Sequence, residues 1–130
     1  MIRVRTVSTR WAGGMRAVTD AGGFEIVVDE PVESGGTDTG PQPTDLLLAS
    51  LSSCFTLSLV WVAKRRGVEL AGLQVSAVAE YQGMKFTRIS IAVTADNPRK
   101  DLEQLIPEAQ RVCYVTNTLR QQPDLTFTVG

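Results

Sequence analysis

Between Asp45 and Lys64 the chain runs through eighteen consecutive uncharged residues, Leu46–Ala63. Signals at both ends mark this stretch as one long helix. Pro43-Thr44-Asp45 opens it, with Thr44 a candidate N-cap and Asp45 suited to the positive end of the helix dipole. Lys64-Arg65-Arg66 suits the negative end, and Gly67 is a stop in the left-handed conformation. Apolar side chains fall on every side: Leu46, Leu47, Leu48, Leu51, Phe55, Leu57, Leu59, Val60, Trp61 and Val62. A helix apolar all round is either buried in protein or spans a membrane. Eighteen residues just reach the spanning length. Five of them are Ser or Thr (Ser50, Ser52, Ser53, Thr56, Ser58), and no second such segment exists, so the expectation is a central buried helix and no membrane. A chain of 130 residues has little material to wrap such a helix, and a second copy would cover it; a homodimer is expected.

The flanks read as strands and shorter helices. Ile2–Val7 alternates imperfectly, Gly13-Gly14 turns the chain, and Met15–Thr19 forms a second strand. Asp20-Ala21-Gly22-Gly23 turns it again into Phe24–Val28, giving an antiparallel meander. Residues 29–43 hold three Pro and three Gly with no period, an irregular loop. After the long helix, Val68–Tyr81 and Phe86–Thr94 alternate about a Gln82-Gly83 turn and make a hairpin. Asn97-Pro98 ends it. Asp101–Val112 is amphipathic through Leu102, Leu105, Ile106, Ala109 and Val112, with Pro107 predicting a kink or a boundary. A short helix is expected to start at Thr116–Leu119, and a last strand at Leu125–Val129. The sum is a single α+β domain over residues 1–130, with antiparallel sheets around long helices.

Composition narrows the chemistry. The net charge of −1 provides no basic footprint, so no nucleic-acid partner is expected. Met1-Ile2-Arg3-Val4-Arg5 lacks the apolar core of a signal peptide, and a cytoplasmic location is expected. The chain contains no histidine. That removes Ser-His-Asp and Cys-His hydrolysis, His-ligated zinc and the histidine general base. Two cysteines, Cys54 and Cys113, cannot make a cysteine-rich metal site either. A structural disulfide is disfavoured in the cytosol. Cys54 lies mid-helix on a face with Leu47, Ser50, Leu51, Leu57, Ser58 and Trp61, where a cysteine can serve as a small core residue. To react there it needs a cationic neighbour. Cys113 falls where an element ends, so it is either an apolar cap or a presented thiol. Spacing alone does not join two thiols 59 positions apart.

Two segments carry a resemblance. Gly40-Pro41-Gln42-Pro43-Thr44-Asp45-Leu46-Leu47-Leu48-Ala49-Ser50-Leu51-Ser52-Ser53-Cys54 resembles the signature of the OsmC/Ohr family, the osmotically inducible and organic hydroperoxide resistance proteins. Ala109-Gln110-Arg111-Val112-Cys113-Tyr114-Val115-Thr116-Asn117-Thr118-Leu119 is similar to that family's second cysteine motif. The resemblance implies an OsmC-like fold in an intertwined homodimer. It implies a peroxidase of the stress response, in which Cys54 attacks a hydroperoxide and becomes a sulfenic acid. Cys113 then closes a disulfide, which a small dithiol or a lipoylated protein reduces. No metal, haem, flavin or other cofactor is implied. The activating arginine matches Arg16 in Gly13-Gly14-Met15-Arg16, with Arg10 in reserve. Hydroperoxide-reducing members carry a glutamate ten residues before the first cysteine; here Thr44 stands there with Asp45 beside it, so the carboxylate is shorter, displaced or absent. Tyr114 follows Cys113 where the family commonly has proline. Organic hydroperoxides are the expected substrates, Trp61 and the leucines near Cys54 favouring an alkyl group. The alternative is an OsmC-like small-ligand-binding or redox-sensing protein with little turnover, and a third reading is a structural dimer with incidental cysteines.

Overall fold

The computed structural model describes all residues from Met1 to Gly130. It is α+β with antiparallel sheets, as expected from the sequence. Contacts gather into two compact units, residues 1–47 and 48–130.

The first unit is built on a three-stranded meander, β1 (Ser8–Trp11), β2 (Ala17–Ala21) and β3 (Phe24–Val28), in that order. Gly22 and Gly23 both have positive φ and join Ala21 to its partner Phe24 in a two-residue turn, the conformation that matches strand twist. Between β1 and β2 the chain turns over Gly13 and Gly14, also at positive φ, and the Trp11 indole donates to the Gly14 carbonyl at 2.9 Å. Thr9 and Thr19, directly opposite, share a hydroxyl hydrogen bond of 2.8 Å. A 3-10 turn at Val32–Ser34 lies in the loop that follows.

α1 spans Pro43–Arg65, so the expected long helix is present. By length and composition it could cross a membrane, with mean hydropathy 2.0. Its burial is one-sided, however. Leu51, Phe55, Ser58, Leu59, Val62 and Ala63 form one buried stripe at helical spacing. Leu57 is 68% and Trp61 47% exposed. The helix ends as its sequence predicts: Gly67 takes φ +69°, Val68 N–H donates to the Ala63 carbonyl at 2.9 Å, and Gly67 N–H donates to that of Lys64 at 3.3 Å.

In the second unit, β4 (Gln74–Gln82) and β5 (Lys85–Thr94) form a hairpin whose two-residue turn starts with Gly83 at φ +66°. α2 (Arg99–Val112) and α3 (Tyr114–Arg120) follow, separated by Cys113 in an extended conformation. The core is the contact of α1 with α2: Phe55, Leu59, Val62 and Ala63 against Leu105, Ala109 and Cys113. Val75, Ile91 and Val93, alternate residues on one face of the hairpin, pack onto it. The Arg66 guanidinium donates to Glu108 at 2.6 Å and to the Gln104 carbonyl at 3.2 Å, tying the end of α1 to α2.

Several expectations are corrected. Ile2–Val7 and Leu125–Val129 are not strands. Neither has a neighbouring strand to complete its ladder in this chain, and Ile2, Val4, Leu125, Phe127 and Val129 are exposed. The strand expected from Val68 begins only at Gln74. Gly72 turns left-handed at φ +64°, and Asn97 clamps the segment before it, donating to the Glu69 carbonyl at 2.7 Å and accepting from Ala71 N–H at 3.1 Å. Of the two outcomes expected at Pro107, the boundary is absent: α2 runs through it, giving up one main-chain hydrogen bond. Because Leu105 is buried where the two helices meet, Leu105→Ala should destabilise the protein by about 2–5 kcal/mol. A urea unfolding curve measures this as a lowered midpoint at unchanged slope.

Candidate active site

The two cysteines, far apart in sequence, meet in the second unit. α1 presents Cys54 on the edge of its buried stripe, and one turn later Ser58. The junction of α2 and α3 presents Cys113, which is 0% exposed. Both thiols are free. Thr116, three residues into the turn after Cys113, donates its hydroxyl to Cys113 Sγ at 3.1 Å. The Cys54 thiol and the Ser58 hydroxyl lie near that sulfur and favour its charged form. The Ser58 hydroxyl gives its proton to the Cys54 carbonyl at 2.9 Å. Burial pushes the Cys113 thiol up. The Thr116 hydroxyl, more weakly the Thr116 N–H, and then Cys54 and Ser58 outweigh it and hold the thiol below its ordinary value. Sequence reasoning missed Ser58 and Thr116 as members of this group; Ser58 lies on the Cys54 face, but nothing in spacing aims Thr116 at a sulfur.

Arg16 belongs to the first unit. It follows the Gly13-Gly14 turn, which its own main chain closes: Arg16 N–H donates to the Gly13 carbonyl at 3.0 Å, and Ala12 N–H donates to the Arg16 carbonyl at 2.9 Å. Its Nη2 donates to Thr37 Oγ1 at 3.0 Å, and its Nε lies 3.9 Å from Asp29 Oδ2. Arg16 therefore finds its carboxylate in Asp29, at the end of β3, and not at Thr44 or Asp45. Asp45 instead accepts from Gln42 N–H at 3.4 Å in the first turn of α1, beside Thr44. Arg10 pairs with Glu25 at 3.9 Å on an exposed sheet face.

Asp29 is 1% exposed and held from all sides. Its carboxylate accepts from the Thr37 and Thr39 hydroxyls, both at 2.6 Å. It also accepts from the N–H groups of Glu30 at 2.8 Å, Thr39 at 3.1 Å and Thr37 at 3.3 Å. Those donors, the two hydroxyls first, outweigh burial and hold its carboxyl well below the usual carboxylate range. The direction of the pair is set: Thr37 gives its proton to Asp29 and so accepts from Arg16. Two glycines let the loop close this tightly. A Cβ on Gly36 would lie 1.9 Å from the Glu30 carbonyl oxygen, and one on Gly40 2.2 Å from that of Val27. In the sequence, Asp29 is only an acid after an apolar strand, and the Thr37-Asp38-Thr39 hydroxyls lie eight to ten residues on.

A carboxyl more acidic in the folded than in the unfolded chain stabilises the fold above about pH 4, and that contribution is lost as pH falls further. Asp29→Asn should lower the melting temperature at pH 7, and the gap to the native protein should narrow on acidification below about pH 4. Melting curves across that range test it. Gly36→Ala should disrupt the same loop, because its obstacle is main chain that cannot move aside.

Comparison with known proteins gives the family and the fold. The family profile described as OsmC-like protein matches residues 36–128. An uncharacterized protein of Haloferax volcanii is 27% identical over 132 aligned positions, covering 98% of this chain and 94% of its own. An organic hydroperoxide resistance protein from Elizabethkingia anophelis, solved with thiocyanate bound, has a similar structure: TM-score 0.70, 23% identity, 94% of this chain and 93% of that one. An OsmC-like protein from Mycoplasma pneumoniae superposes with TM-score 0.75 at 16% identity, covering 94% and 91%. With two antiparallel sheets, a long α1 carrying the first cysteine and a second cysteine after α2, the chain belongs to the OsmC-like family.

Proposed function

We propose that this protein is a thiol-dependent peroxidase that reduces organic hydroperoxides. The observation that carries the reading is the meeting of Cys54 and Cys113: a half-buried thiol on α1 beside a buried thiol at the α2–α3 junction, with the Thr116 hydroxyl on the buried sulfur. The reaction balances on these two sulfurs. The Cys54 thiolate attacks the O–O bond, taking OH as a sulfenic acid and releasing an alkoxide that leaves as the alcohol. Cys113 sulfur displaces the oxygen as water, and a disulfide forms. A small dithiol or a lipoylated protein returns the pair to the thiol state, its own dithiol becoming the disulfide. No cofactor takes part. Similarity to a hydroperoxide resistance protein supports the substrate class. The exposed Leu57 and Trp61 on α1 support an alkyl substituent, with hydrogen peroxide the poorer substrate.

Arg16 keeps in this proposal the role that the family resemblance implies, a permanent positive charge for thiolate and peroxide oxygen. Within its unit the guanidinium is held by Thr37 and Asp29 rather than left loose. The proposal also holds that the protein is an intertwined homodimer of the cytoplasm, a compartment that keeps thiols reduced. The exposed apolar side of α1 and the alternating, unpaired ends of the chain are what a second copy would cover.

The test is a thiol count after cumene hydroperoxide. Two thiols per chain should disappear, as a disulfide, and Cys54→Ser should prevent it. Arg16→Ala should slow the loss roughly a hundredfold. Slow oxidation of Cys54 with no disulfide would instead mark a redox-sensing or ligand-binding protein. A protein whose thiols both survive would be neither. Sizing in solution should show a dimer, and a monomer would remove that part of the proposal.

A further inference from the structure

The Asp29 carboxylate sits opposite Arg16, yet the two do not form the forked pair that an arginine often makes with a carboxylate. Five donors of its own loop reach Asp29 first. Oδ2 accepts from the Thr37 and Thr39 hydroxyls at 2.6 Å each and from Thr39 N–H at 3.1 Å. Oδ1 accepts from Glu30 N–H at 2.8 Å, and Thr37 N–H lies 3.3 Å from both oxygens. A carboxylate offers about four lone-pair sites, so this one is full. Arg16 Nε is left 3.9 Å from Oδ2, buried and without a hydrogen-bond partner. The one hydrogen bond that the guanidinium makes runs from Nη2 to the Thr37 hydroxyl, at 3.0 Å.

We propose that Thr37 is the positioning residue for Arg16: its hydroxyl orients the guanidinium, Asp29 supplies only the opposite charge, and the Nη1 donors stay available for the oxygen and sulfur of the reaction. The proposal deepens the peroxidase reading and, for its catalytic consequence, rests on it. A forked pair would commit two of the guanidinium's donors to the carboxylate. Here none is committed to it. The Thr37 hydroxyl can do this because it stands in series, giving its proton to Asp29 and turning a lone pair to Nη2. Thr37 is itself held without Arg16. On either side of it, Gly36 N–H donates to the Pro31 carbonyl at 3.0 Å and Asp38 N–H to that of Glu30 at 3.1 Å. Asp38 takes φ +56°, and the threonines flanking it both reach Asp29.

The consequence is a division of labour between two threonines. Thr37 and Thr39 give Asp29 equal hydroxyl bonds of 2.6 Å, but only Thr37 also accepts from Arg16. Removing either hydroxyl takes one donor from the buried carboxylate and leaves the other donors in place. Removing that of Thr37 also releases the guanidinium, whose side chain is 40% exposed and turns to water. Thr44 and Asp45 offer no substitute. Thr44 carries no charge, and Asp45 accepts from Gln42 N–H at the start of α1. A hydroxyl backed by a saturated carboxylate thus stands in for the glutamate that position 44 lacks.

The experiment compares four variants of the reduced full-length protein. Thr37→Val removes the hydroxyl at nearly constant shape, and Thr37→Ala removes it without adding an apolar group to the loop. Thr37→Ser keeps it, and Thr39→Val removes its neighbour. The first readout needs no peroxide. It is the Arg16 Nε–H signal in a proton–nitrogen NMR spectrum, identified by its loss in Arg16→Lys. Nε makes no hydrogen bond, so its protection from water reports the orientation of the guanidinium. Its exchange should be roughly tenfold faster in Thr37→Val and Thr37→Ala and native in Thr37→Ser, as expected from one hydrogen bond to a charged group. The second readout is thiol loss with cumene hydroperoxide. It should slow roughly tenfold without the Thr37 hydroxyl, recover in Thr37→Ser, and slow far less in Thr39→Val at a similar loss of melting temperature. Native Nε–H exchange, or native thiol loss, in a folded variant without the Thr37 hydroxyl overturns the role of Thr37. Equal slowing in Thr37→Val and Thr39→Val overturns it too, because that is damage to the loop they share. If the exchange changes as expected while cumene hydroperoxide leaves the native thiols untouched, the peroxidase reading fails and Thr37 keeps its hold on Arg16.

Discussion

The seam between α1 and α2 is the contact on which the rest of the second unit depends. Phe55, Leu59 and Val62 on one helix close over Leu105 and Ala109 on the other. Burial of this kind is the main favourable term in folding, and it is non-directional. What gives it direction here is periodicity: the α1 stripe and the Leu102–Leu105–Ala109 row each follow one side of a helix. With those rows facing, the end of α2 is fixed. Cys113, the residue after it, has nowhere to go but into the same core.

One device recurs in both units: a threonine hydroxyl donates to an ionisable acceptor. Thr37 accepts from Arg16 and donates to Asp29. Thr116 donates to Cys113, with Ser58 close by. A threonine hydroxyl can give one proton and accept others, so it joins a charged donor to a charged acceptor without adding charge of its own. In a chain with no histidine, hydroxyls of this kind support a carboxylate in one place and hold a thiol below its ordinary value in the other. The relocated carboxylate follows the same logic. The position ten residues before Cys54 is occupied by Thr44, and Asp45 serves the start of α1, yet Arg16 still has an acid to hold it.

Much that could be read locally was read correctly, although α1 starts at Pro43 and so takes Thr44, expected as its N-cap, into its first turn. The glycine pairs at 13–14 and 22–23, the charge-flanked α1 with Gly67 at its end, and the β4–β5 hairpin all rest on interactions among neighbours in sequence. The misread strands share one cause. Ile2–Val7 and Leu125–Val129 alternate like strands, but a strand is a relation between two segments, and this chain supplies no neighbour for either. Val68–Leu73 alternates as well, yet Asn97, distant in sequence, takes its main-chain groups for a different structure.

The sequence by itself determined which chemistry was open to this protein: no histidine, two thiols, and a long uncharged helix carrying one of them. Those are matters of residue type and short-range pattern, and they need no tertiary contact to be legible. Only the folded chain decided that Cys113 is the sulfur that collects hydrogen bonds and that Asp29 is the acid that holds Arg16. Both depend on groups brought together by the closing of loops and the packing of helices. A hydrogen bond acts only at contact distance, and separation along the chain carries no record of it.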